Sequence, residues 1–141
     1  MTICLSHISA LQALREARSK GCRPKEAGER IPKSTSIREV EALVAKADFL
    51  RALPPEGEVS ILVSSQSSRS KSTKTVTHVC ANNAVATIVL AKPRGIFIPN
   101  LGFLFVQLAQ CVPFLTLIEI GYELCGSYTL LPDESTFAQC E

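Results

Sequence analysis

The sequence predicts an α+β fold: a small, mostly antiparallel sheet of three to four strands packed by amphipathic helices. Three observations lead there. The 141 residues are 46% hydrophobic, 20% charged and 6% aromatic, the balance of one ordinary globular domain and not of a disordered chain. Residues 36–39 spell a helix-starting capping box ahead of an apolar stripe at helical spacing. Beyond Gly57 the apolar period shortens from helical to strand-like.

Taken in order, Ser6 precedes Ile8, Leu11, Leu14 and Ala17 at helical spacing, and Ser19, Lys20 and Gly21 supply a finish, so the first element is a short amphipathic helix. Its outer face carries Arg15, Arg18 and Lys20, opposed only by Glu16. Residues 22–34 contain two prolines, a glycine and mixed charge without periodicity, which predicts a connecting loop. At Ser36–Glu39 the serine oxygen and the glutamate carboxylate satisfy N–H groups at a second helix start. Val40, Leu43, Val44, Ala47 and Leu50 form its stripe, and Pro54 with Pro55 stops it.

Val59–Ser64 and Thr75–Cys80 are alternating or β-branched and Val85–Ala91 is continuously apolar, giving three strands; Ile96–Ile98 makes a fourth, short one. Asn100 is placed to cap a helix over Leu101–Val112, and Pro113 separates it from another over Phe114–Cys125, ended by Gly126. No repeat or internal boundary is visible. The reading is one domain over 1–130, with 131–141 a tail or the truncated continuation of a longer protein.

Charge is unevenly divided. Residues 1–94 hold all 15 Lys and Arg against 8 acids, whereas residues 95–141 hold 5 acids and no base. The front half therefore offers a face to phosphate and the rear does not. Within the low-complexity segment 64–74, Arg69, Lys71 and Lys74 are the candidate nucleic-acid contacts, among hydroxyls that also donate to phosphate oxygens. Without neighbouring aromatics they supply only weak, salt-sensitive DNA binding. Glu119 and Glu123, four apart on a predicted helix, are the candidate partner-binding acids.

Several chemistries are disfavoured. The six cysteines are scattered singly with no CxxC, and residues 1–20 show no charged start followed by a continuous apolar core, so neither a zinc ribbon, a redox pair nor export is expected. Free thiols in a reducing cytoplasm are expected, with no metal or cofactor. His7 stands at a helix start, where capping or packing is the common role; His78 and Cys80 point the same way but lie about 7 Å apart, too far for a thiolate–imidazole pair. No GxSxG elbow, no phosphate loop and no nuclease-type acid pair on adjacent strands is present, so catalysis by this chain is not expected. Residues 95–118 carry no charge, which makes a membrane span near 95–118 the alternative; Pro99, Asn100, Gln107, Gln110 and Pro113 stand against it.

Two islands carry a family resemblance. In the run FLFVQLAQCVPFLTLIEIGYELCGSY, residues 103–128, the positions Phe105, Gln107, Leu108, Ala109, Glu123, Leu124, Cys125 and Gly126 resemble a signature of bacterial proteins related to abortive-infection, type IV antitoxin transcriptional regulators. Near the front, Ser6, His7, Ser9 and Ala10 resemble the Ser/Thr-His-x-Ser/Thr-Ala helix start of the same proteins. Where those relatives carry a proline and an acid, this chain has Leu101 and Gly102. The resemblance implies a central module, preceded in many relatives by a winged-helix DNA-binding segment and followed in some by a very-short-patch-repair-like endonuclease domain. The expectation is a non-catalytic module of an antitoxin-like regulator that binds DNA weakly, a cognate toxin, or both. The alternative is a truncated member of the endonuclease-domain family lacking its catalytic domain.

Overall fold

The computed structural model describes residues 3–21, 25–26, 31–46, 58–65, 75–80, 87–89, 96–126, 128–130 and 137–139. The expected α+β class is present. Four helices are found among the described residues: α1 (His7–Ser19), α2 (Ile37–Lys46), α3 (Leu101–Leu108) and α4 (Phe114–Cys125). The principal sheet has β1 (Ile3–Leu5), β2 (Lys25–Glu26), β3 (Val59–Val63), β4 (Thr75–Val79), β5 (Thr87–Val89) and β6 (Ile96–Pro99), in the order β2-β5-β6-β1-β3-β4.

This sheet is wider than expected, and it is mixed. β1 pairs parallel with β6 and antiparallel with β3, while β3 and β4 run parallel through a five-residue register from Val59↔Thr75 to Val63↔Val79. The difference originates at Ile3–Leu5. Three consecutive apolar residues have too short a run to show a period, yet they fill an interior position between β6 and β3, buried throughout. A parallel partner at β6 needs a long return, and the intervening chain from α1 to β5 supplies it.

Alternation sorts the central strands onto two faces. Ile3, Leu5, Ile61, Val63, Ile96 and Ile98 join Leu11 and Leu14 of α1, Leu104 and Leu108 of α3, and Ile120 and Leu124 of α4 in the main core. The opposite parity, Cys4 and Leu62, packs with Ile31, Cys80 and Phe103 in a smaller cluster. Because α3 contributes Leu104 to one cluster and Phe103 to the other, it closes both at once.

Local signals hold where the chain itself supplies the partner. Glu39 N donates to Ser36 Oγ at 3.2 Å and Ser36 N to Glu39 Oε2 at 3.3 Å, the reciprocal box read from the sequence. Phe103 N donates to Asn100 Oδ1 at 2.9 Å, so Asn100 caps α3. That helix stops at Leu108, four residues before the expected end. Tight bonds from Gln110 N to Gln107 O and from Cys111 N to Leu108 O turn the chain ahead of Pro113, whose ring disfavours helix in the residue before it.

The uncharged run 95–118 is therefore no spanning rod: its described part is a strand, an eight-residue helix, a turn and the start of α4. Among the described residues no helix is long and apolar enough to cross a membrane. Within the stretch read as a tail, β8 (Phe137–Gln139) pairs antiparallel with β7 (Tyr128–Leu130). The expected continuation of α2 to Leu50, and the flanks of the third expected strand outside Thr87–Val89, lie outside the described residues.

Candidate functional site

The predicted acidic face divides. Glu119 is exposed, but Glu123 is 1% exposed, and Arg15 of α1 grips it through two parallel bonds, Nε to Oε1 and Nη2 to Oε2, both 2.8 Å. Arg18 adds a 2.7 Å bond from Nη1 to the Glu123 carbonyl, filling an acceptor that the end of α4 leaves open and placing a cation at the negative end of the helix. Arg15 and Arg18 thus do not form the basic outer face expected of α1; their guanidiniums are turned onto α4. Lys20 forms an ion pair with Glu16 at 2.9 Å. Arg69, Lys71 and Lys74 lie outside the described residues.

With α1 anchoring one side of α4, the other side is left uncovered. Phe114, Leu115 and Tyr122 are each about three-quarters exposed, Ile118 is 40% exposed, and Val106 of α3 is 62% exposed. Phe114, Ile118 and Tyr122 are spaced four apart and line one helix face. Beside this ridge a groove of about 430 Å³ runs between α3 and α4, lined by Leu101, Phe105, Ile118, Tyr122 and Leu124. Glycine shapes it: a Cβ at Gly121 would stand 3.1 Å from Phe105 Cε2, so the bare backbone is what lets the Phe105 ring lie against α4. The sequence marks this stretch as apolar without assigning its faces; the packing of α4 against its neighbours leaves these residues outside.

A second constellation gathers at the junction of β1 and α1. His7 adopts a left-handed backbone, φ 52°, uncommon for a residue with a side chain. Its N–H donates to Gln107 Oε1 at 3.3 Å, and its Nδ1 lies 3.0 Å from Ser6 Oγ. The His7 ring stacks on His78 of β4, with centroids 4.0 Å apart and planes 28° from parallel. Burial, helped by the neighbouring His78, pushes the His7 pKa down to about 4. Ser9 completes the motif: its hydroxyl accepts from Ser60 N at 2.9 Å while Ser6 N donates to Ser60 O at 3.0 Å, so β3 remains paired where β1 becomes helix.

The histidines line a cleft of about 350 Å³ with Leu62, Cys80, Phe103, Gln107 and Gln110. Sequence reasoning considered His78 with Cys80 and missed His78 with His7, because seventy residues separate them and only the β3–β4 register brings them together. Free thiols are found at Cys4, Cys80, Cys111 and Cys125; Cys22 and Cys140 lie outside the described residues. Burial, with Cys80 nearby, pushes the Cys4 thiol up to about 12, which keeps it protonated and inert. No group of three or more His, Cys, Asp or Glu placed to hold a metal occurs among the described residues. Comparison with family models, with curated proteins and with solved structures finds no match for this chain.

Proposed function

We propose that this chain is a non-catalytic module of an antitoxin-like regulator, and that its α3–α4 face docks a partner protein, the cognate toxin of that setting. The observation that carries the reading is the uncovered apolar ridge of Phe114, Leu115, Ile118 and Tyr122 beside a groove of matching character. Contiguous apolar surface of this kind on a globular body marks an interaction site, and aromatic residues are the usual anchors. Residues 101–126 contain no Lys or Arg and two Glu, of which Glu119 is exposed. The fitting partner therefore presents an apolar ridge bordered by cations.

Co-purification of the full chain with the product of an adjacent gene tests this. A complex that forms with the wild-type chain, and is lost on Leu115→Glu with Tyr122→Glu at an unchanged melting temperature, is the expected result. A complex indifferent to both charges removes the face from the reading. The DNA arm rests on Arg69, Lys71 and Lys74, and fluorescence anisotropy with duplex DNA across a salt series tests it separately: affinity is expected to fall steeply as salt rises.

A further inference from the structure

We propose that the cleft between α3, β4 and the β1–α1 junction binds an uncharged planar heterocycle, an unstacked nucleobase, against the His7–His78 imidazole pair. Three observations converge. Two imidazoles stacked at 4.0 Å both line the cleft, and the outer face of such a pair is a π-platform of the kind on which proteins hold bases taken out of a helical stack. Leu62 and Phe103 supply apolar walls, and at about 350 Å³ the space has the size of a small-molecule site. None of the described lining residues is Lys, Arg, Asp or Glu, so a charged ligand would lose hydration there without a counter-ion. A neutral ring loses little.

The edge of such a ring also finds partners. Gln110 is exposed at the cleft margin, and a carboxamide offers the paired donor and acceptor that match the N6/N7 edge of adenine. Gln107 commits its oxygen to the His7 N–H, so what it adds toward a ligand is a donor. The left-handed turn at His7 is the structural device behind the platform: it brings the ring to His78 at the start of α1, and Gln107 secures it from α3. His7 remains neutral at pH 7, in keeping with a neutral ligand. The site shares no anchor with the apolar ridge of α4 and stands or falls independently of it.

The test is an NMR titration of the full chain with adenosine, with a short oligodeoxyadenylate, and with the same oligomer made abasic. The His7 and His78 imidazole proton signals are expected to move upfield with the first two probes and not with the third. His78→Ala should weaken binding by about tenfold, the cost of losing one stacking face. Gln110→Ala, in the exposed turn after α3, should weaken it by about fivefold. The oligomer binding more tightly than adenosine identifies a single strand as the source of the base; equal affinities identify a free nucleoside. Imidazole signals unmoved by millimolar adenosine and by the oligomer overturn the proposal, as does an abasic oligomer that binds as well as its parent. So does wild-type affinity in both variants.

Discussion

His7 concentrates three unusual circumstances in one residue: a left-handed backbone, a stacked ring and a depressed pKa. The last has a sign that fixes a pH dependence. Its folded-state value, about 4, lies below the ordinary 6.5, so between the two the unfolded chain binds the extra proton and the folded chain does not. The contribution is whole above pH 6.5 and is lost as pH falls through 4. For a half-buried ring screened by solvent it amounts to about 1–2 kcal/mol. His7→Asn tolerates the left-handed backbone and does not titrate. Urea unfolding at both ends of that window should show the wild type losing about 1–2 kcal/mol more than the variant.

Glu119 and Glu123 make the second case at this scale, being one residue type on one helix with opposite fates. Glu123→Lys replaces the partner of Arg15 by a like charge in a buried place and should cost about 3–5 kcal/mol in denaturant melts. Glu119→Lys should stay within about 0.5 kcal/mol of wild type. Equal effects would mean that the bidentate pair contributes nothing. Both acids were visible in the sequence; which one is buried was not, since the deciding group is Arg15, more than a hundred residues away.

At the scale of elements, what could be read depended on how local the deciding contacts are. The Ser36–Glu39 box, the Asn100 cap and the bounds of α4 were legible because each is written within four residues of chain. β1 was not, since its three residues take their conformation from Leu62, Ile61, Ile96 and Phe97 across the sheet. The contact of α3 with α4 is likewise tertiary, and Gly121 is its gauge. Gly121→Val gains a little helix propensity but drives its branched side chain into Phe105. A net loss of about 1–3 kcal/mol is expected in thermal unfolding, together with narrowing of the groove.

Over the whole molecule, the interior place of β1 explains how the sheet holds together. It is the link that joins the β2-β5-β6 half to the β3-β4 half, and its neighbours bury residues on both faces. Deleting residues 1–5 should therefore abolish the cooperative thermal transition instead of trimming a dispensable end. A truncated chain that still melts in one sharp step, followed by circular dichroism, would show that the two halves meet without it.

The sequence alone determined the α+β class, the caps and the alternation of strands, since these arise from short-range hydrogen bonds and from a side-chain period that any local window reveals. It also marked residues 101–126 as apolar without saying which surface they would show. Tertiary structure decided the mixed sheet, the burial of Glu123, the bare ridge on α4 and the meeting of His7 with His78. Each of these depends on which distant segment occupies the neighbouring place, and side-chain chemistry has no sense until that neighbour is present.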